Sequence, residues 1–163
     1  RLSLVGSEMC IRDRLAGLAE ERARLTDHHG RHVPMAIKIA PDIENDELPA
    51  LTDALVEHGI DAVIATNTTI SRPLVSGLPQ ADEAGGLSGP PLRVRSTEVI
   101  AALRERLPEG FPIIGVGGID SGEAALEKIH AGADLVQIYT GLIYGGPQLV
   151  RDVARALAAD SRN

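Results

Sequence analysis

Aromatic residues are scarce in this chain: two tyrosines, one phenylalanine and no tryptophan among 163 residues. Proteins that hold single-stranded nucleic acid stack bases on such rings, so a stacking platform is excluded. Positive charge is also short. Sixteen Lys and Arg stand against 23 Asp and Glu, a formal net charge of −7, and no segment gathers a basic run. That balance argues against nucleic acid as a partner. The single cysteine, Cys10, allows no internal disulfide and suits a reducing cytoplasm. No apolar run approaches the roughly 20 residues that a membrane-spanning helix needs, and no stretch reads as a signal peptide. A phosphate-binding P-loop with its lysine is missing, as is a G-x-G-x-x-G after the first strand, so neither nucleotide fingerprint applies.

What is present is an ordinary globular composition. Apolar residues make up 44% of the chain, enough for one core-forming domain. Residues 1–14, RLSLVGSEMCIRDR, show neither a helical nor a strand period. They read as an appended, non-native segment, with the domain itself running over 15–163. Leu15 to Leu25 is rich in Ala, Leu, Arg and Glu and predicts a helix. His28, His29 and His32 follow in DHHGRHVP; no second ligand cluster stands at useful spacing, so they read as a solvated linker rather than a metal site.

From Pro34 onward a beat repeats. MAIKIA, DAVIATN, PIIGVGG and ADLVQIYTG are short β-rich runs. Between and after them stand helical patterns. Leu48, Leu51 and Leu55 share one face with Gly59 as the stop; Val99, Ile100, Leu103 and Leu107 share another; Ser121 is a good N-cap; and Leu149, Val150, Val153 and Leu157 follow Pro147. Four strand–helix units of this kind make parallel β with helical crossovers. A doubly wound sheet or a (β/α)8 barrel fits this pattern; a barrel takes about 250 residues and eight units, and the residues that close the strands favour it, so the expectation is α/β: four β/α units, half of a TIM barrel.

Polar or bare residues close each strand, where barrel enzymes build their sites. Lys38 lies inside the first strand, either facing a barrel interior that must hold an anion or facing water from a sheet edge. Thr66, Asn67, Thr68 and Thr69 end the second, suited to a planar ligand with mixed hydrogen-bonding edges or to plain turn chemistry. Gly117 and Gly118 end the third and Tyr139-Thr140-Gly141 the fourth. Two neighbouring bare strand ends, each followed by a helix, predict a phosphate cradle. The 23-residue stretch from Ile70 to Leu92, with Gly85, Gly86 and Gly89, is long enough to be a binding loop. Carboxylates converge nowhere as an acid–base pair.

Taken in order, VPMAIKIAPD, IDAVIATNTT, GGLSGPPL, PIIGVGGIDSGEAA and LVQIYTGLIYGGP resemble the C-terminal half (strands 5–8) of dihydroorotate dehydrogenases, most closely the quinone-dependent, membrane-associated class. The resemblance implies a flavoenzyme that oxidises dihydroorotate to orotate in pyrimidine synthesis. It implies FMN contacts at Lys38, Thr66, Gly89, Gly118, Tyr139 and Thr140, and orotate contacts at Asn67 and Thr68; no metal is implied. The family's base, a serine that takes the proton from C5 while hydride leaves C6 for flavin N5, lies upstream of the matching stretch, and so does the region that docks on the inner membrane and admits quinone. The expectations are therefore that this chain alone is inactive, holds FMN weakly or not at all, and self-associates. A different phosphate-binding barrel enzyme and a half-barrel module that dimerises stay open as alternatives.

Overall fold

The computed structural model describes residues 4–160 and the side chains from residue 11 onward. One parallel sheet organises it, in the order β1 (Ala36–Ile39), β2 (Ala62–Ala65), β3 (Ile113–Val116), β4 (Leu135–Gln137). Each strand pairs with the next in sequence, Lys38 beside Ile64 and Ile64 beside Ile114. After each strand comes a helix: α2 (Leu48–Glu57), α3 (Arg93–Arg104), α4 (Gly122–His130) and α5 (Thr140–Asp160). A further helix, α1 (Leu4–His29), precedes β1. Strictly sequential parallel pairing with a helix after every strand is the connectivity of consecutive units in a TIM barrel.

The strands are short, and two to six residues narrower than their apolar runs. Burial explains the choice of residues. Val63, Ala65 and Ile113 are fully buried between layers, so the two central strands carry little but Val, Ile, Ala and Gly. Among the described residues the outer strands β1 and β4 have no partner on one side, and Leu135 of β4 is 61% exposed. The main core lies between the sheet and α2 and α3, from Leu48, Leu51 and Leu55 to Val99, Ile100, Leu103 and Leu107. A second cluster joins α4 and α5 through Ile119, Ala125, Leu149 and Val153.

Local signals place the helices. Pro49 sits in the first turn of α2, where its missing N–H costs nothing. That helix closes with Ile60 N–H donating to the Leu55 carbonyl (2.9 Å), so it stops at Gly59 as the sequence predicts. The Ser121 hydroxyl caps α4, accepting from Ala124 N–H at 3.1 Å.

Three expectations need correction. Helix α1 begins at Leu4, so most of the segment without a readable period is helical; residues 1–3 of it lie outside the described residues. The fourth strand is only Leu135–Gln137, and Thr140 already starts α5, which kinks at Gly146 (φ 64°, ψ −169°) just before Pro147. The kink turns the helix after one short segment, and Val150 of the second segment is exposed rather than packed with Leu149 and Val153.

Candidate functional site

The C-terminal ends of the strands are held in register beyond the sheet itself. Thr66 N–H donates to the Val116 carbonyl (2.8 Å) and Asn67 N–H to the Ile39 carbonyl (2.7 Å), so the residues after β2 are pinned between β1 and β3. A cavity of about 200 Å³ opens there. Lys38, Thr66, Asn67, Thr68, Gly89, Gly118, Tyr139 and Thr140 all line it. The eight residues to which the resemblance assigns ligand contacts thus reach one space, from all four strand ends and the loop before α3, whereas Thr69 lines a different cavity. Lys38 lies across the mouth from Gly118 and Thr140 rather than on the far side of the sheet.

Hydrogen bonds inside the protein decide which groups remain for a ligand. The Asn67 Oδ1 accepts from Thr68 N–H at 2.9 Å, so its Nδ2 is the free end and donates outward. The Thr66 hydroxyl donates to the Asn67 carbonyl at 3.0 Å, leaving its lone pairs. The Thr140 hydroxyl donates to Ser88 Oγ at 2.9 Å, which frees the Ser88 proton. With the Lys38 ammonium, the cavity is a set of donors with one buried acceptor, suited to an anionic, planar ligand. Among the described residues no carboxylate and no histidine lines it.

A second cavity of about 350 Å³ continues from the first, sharing Gly89, Gly118, Ile119, Thr140 and Gly141 and adding Pro90, Asp120, Tyr144 and Gly145. Its walls are backbone. A Cβ on Gly118 (φ +68°) would lie 2.5 Å from Arg93 Cβ and 2.7 Å from Arg93 N; one on Gly141 would lie 2.1 Å from the Ile119 carbonyl oxygen. Only glycine permits these approaches, and they bring main-chain N–H groups and the start of α5 to the cavity wall. Asp120 is the one acidic group there, and the Arg93 guanidinium nearby offsets its field.

Arg93 itself is clamped by Glu127 through two bonds, Nε–Oε2 at 2.7 Å and Nη2–Oε1 at 2.6 Å. That hydrogen-bonded pairing holds the Glu127 carboxyl below its ordinary range and the Arg93 guanidinium above its own. The binding loop is tied down at its base: Thr69 pairs with Leu87 in a single antiparallel bridge, and the Asp42 carboxylate accepts from the Thr69 hydroxyl and from Ile70 N–H.

Sequence reasoning missed Ser88 and Gln137 as cavity residues and Lys128 as a fully buried cation, whereas Gly141, put forward as part of the cradle, does line the cavity. Ser88 sits inside the quoted GGLSGPPL but carries no signal by itself. Lys128 stands four and three residues after the buried Ala124 and Ala125 and so shares their face of α4, which is the one cue available. His28, His29 and His32 stand away from both cavities; His32 pairs with Asp61. Among the described residues no three His, Cys, Asp or Glu side chains gather as metal ligands. No helix among them is long and apolar enough to cross a membrane.

The family model for dihydroorotate dehydrogenase matches residues 4–160. The dihydroorotate dehydrogenase (quinone) of Cupriavidus pinatubonensis is 59% identical over 145 residues, 89% of this chain and 42% of that protein. The one from Bordetella pertussis is 57% identical over 148 residues, 91% of this chain and 42% of its own length. Among solved structures, the enzyme of Eimeria tenella in complex with ferulenol superimposes with a TM-score of 0.80 at 33% identity, over 90% of this chain and 43% of that one. The chain thus spans less than half the length of the curated relatives it matches. A family match over nearly the whole described length, a shared barrel topology and more than half the residues in common lead to one conclusion: this chain belongs to the dihydroorotate dehydrogenase family.

Proposed function

We propose that this chain supplies the cofactor-facing half of an FMN-dependent oxidoreductase that converts (S)-dihydroorotate to orotate and passes the electrons to a quinone. The observation that carries the reading is the convergence of eight residues, from four strand ends and the loop before α3, on one donor-rich cavity, continuous with a second cavity walled by glycine.

The residues fit FMN. Gly118, Gly141 and the start of α5 would hold its phosphate, with Thr140 and Tyr139 at the rim; Lys38, Thr66 and Gly89 would border its ring. When bound, FMN supplies a two-electron acceptor for the hydride released from dihydroorotate. Lys38 would present a cation to the space where negative charge develops on reduction, an electrostatic contribution to that step. Asn67, its Oδ1 already engaged, turns Nδ2 toward the substrate, and Thr68 adds a hydroxyl; together they orient a carboxylate-bearing planar ring.

On this reading the C5 proton goes to the serine that the resemblance places upstream, since among the described residues Ser88 and the threonines of the cavity have no carboxylate or imidazole in its lining to draw off their protons. The proton acceptor, the remaining FMN contacts, quinone access and peripheral attachment to the cytoplasmic face of the inner membrane are therefore assigned to sequence outside these residues. Residues 1–14 are read as appended to a domain of 15–163.

Two proteins test this: the chain alone, and residues 15–163 joined to the upstream portion of the Cupriavidus pinatubonensis relative. The joined protein should purify with FMN and reduce a soluble quinone with dihydroorotate. Lys38→Ala in it should lower kcat at least tenfold. The chain alone should bind FMN only weakly and turn over at no more than trace rate. Turnover by the chain alone, or a joined protein that holds FMN but ignores dihydroorotate, overturns the proposal.

A further inference from the structure

Lys128 of α4 is fully buried, yet its ammonium faces no carboxylate at hydrogen-bond distance. Three oxygens of α3 receive it instead: the Arg93 carbonyl at 2.6 Å, Ser96 Oγ at 2.6 Å and Thr97 Oγ1 at 2.5 Å. The side chain can lie there because β3 has a glycine opposite: a Cβ on Gly115 would come within 3.0 Å of Lys128 Cβ. A cation this buried is costly unless it is hydrogen-bonded, and these three oxygens supply the bonds.

The bonds have a direction. An ammonium has only donors, so Ser96 Oγ must accept from it, and the one hydroxyl proton of Ser96 must point elsewhere. Two acceptors stand in range, the Arg93 carbonyl at 3.1 Å and the Gly117 carbonyl at 3.2 Å. The Arg93 carbonyl already receives Lys128 Nζ and, at 2.8 Å, the Thr97 hydroxyl. That leaves Gly117. In a trans peptide the C=O and the following N–H point in opposite directions. A Gly117 carbonyl drawn toward α3 therefore turns the Gly118 N–H the other way, toward the cavities that Gly118 lines. No protein acceptor for that N–H is found among the described residues.

We propose that Lys128 is a positioning residue: through Ser96 it fixes the Gly117–Gly118 peptide and so aims the Gly118 N–H at an anion, the phosphate of the cofactor, in the glycine-walled cavity. The proposal rests on reading that cavity as a phosphate site. The relay depends on the ammonium form, because a neutral amine can itself accept the Ser96 proton and release the Gly117 carbonyl. Burial pushes the Lys128 pKa down to about 8, partly countered by Glu127 and reinforced by Arg93. Those two are the charged groups that face it, one from its own helix and one from α3; β3 behind it offers no titratable side chain. The relay should therefore switch within reach of ordinary buffers.

The test uses the full chain labelled with ¹³C at glycine carbonyls and lysine Cε. Between pH 6.5 and 9.5 the Gly117 carbonyl shift should move with the same midpoint as Lys128 Cε, near 8. In Ser96→Ala, Lys128 should still titrate while the Gly117 response disappears. FMN added to millimolar concentration should then bind roughly three- to tenfold more weakly than to the unsubstituted chain, the loss expected for one correctly aimed hydrogen bond. Lys128→Met should give the same loss; Ser96→Ala carries the test if that variant does not fold. A Gly117 carbonyl indifferent to Lys128 overturns the relay, since a lysine that merely staples α3 to α4 would leave it unmoved. Equal FMN affinity in Ser96→Ala overturns its function. A Gly117 response that persists in a chain binding neither FMN nor inorganic phosphate sinks the phosphate reading instead, and with it the anion half of this proposal.

Discussion

Three glycine-to-alanine substitutions separate the physical reasons for the bare walls of the second cavity. At Gly118 an alanine meets two penalties. Its φ of +68° lies in the left-handed region, which costs an L-residue about 1–2 kcal/mol. Its Cβ would also sit 2.5–2.7 Å from the Cβ, Cα and N of Arg93, backbone of the first turn of α3 that cannot rotate away. Overpacking of that kind costs about 1–3 kcal/mol, so the sum is roughly 2–5 kcal/mol. At Gly141 only the second penalty applies: the Cβ meets the Ile119 carbonyl oxygen at 2.1 Å, in a helical segment with no left-handed φ. Gly145 carries neither, because its nearest neighbour is Leu149 Cβ at 3.4 Å, and an alanine there should gain about 0.4–1 kcal/mol. With a urea slope of about 2 kcal/mol per molar, G118A should unfold about 1–2.5 M earlier than the unsubstituted chain. G141A should unfold about 0.5–1.5 M earlier, and G145A at the same concentration or slightly later. Equilibrium urea unfolding followed by far-UV circular dichroism reads all three. A common midpoint for G118A and G145A would refute the reasoning, because it would mean the close approach of the Gly117–Gly118 turn to α3 does not exist in solution.

Two further outcomes follow from the edges of the molecule. Asp61 joins α1 to the sheet: Arg22 Nη1 donates to it at 2.7 Å, Met35 N–H at 2.7 Å, and His32 Nε2 lies 3.2 Å away. The Met35 bond above all, with His32 and Arg22, holds its carboxyl below the ordinary value. A depressed carboxyl contributes stability that is present above its unfolded pKa of about 4 and fades as pH falls through the folded one. Urea midpoints should therefore drop more steeply between about pH 5 and 3 in the unsubstituted chain than in Asp61→Asn, and parallel curves would reject the assignment. The open edge of β4 carries Leu135 at 61% exposure, beside the exposed Tyr139 and Ile143. Chain of this sequence should run on size exclusion above the 17.2 kDa of a monomer, and Leu135→Lys should return it toward that mass. A monomeric unsubstituted chain would count against the edge as a pairing surface.

The sequence determined the order of elements, because each depends on contacts within one turn or one strand. Periodicity placed Leu48, Leu51 and Leu55 on a buried face, and Ser121 and Gly59 marked the ends of helices that do start and stop there. Bare or polar residues at the strand ends marked a candidate site, and the resemblance to dihydroorotate dehydrogenases narrowed it to Lys38, Thr66, Asn67, Thr68, Gly89, Gly118, Tyr139 and Thr140. What a linear reading could not supply was depth. The helix over Leu4–Arg14 has no period to read, and the turn of helix at Thr140–Gly145 hides in a glycine-rich stretch that looks like loop.

Lys128 makes the same point within one residue. On the sequence alone it is one more charged position on an amphipathic helix; three oxygens of α3 and the space left by Gly115 make it a buried donor behind the ligand cavity. Local chemistry is written in neighbours along the chain, whereas the direction of a hydrogen bond between two helices exists only once the sheet has brought them together.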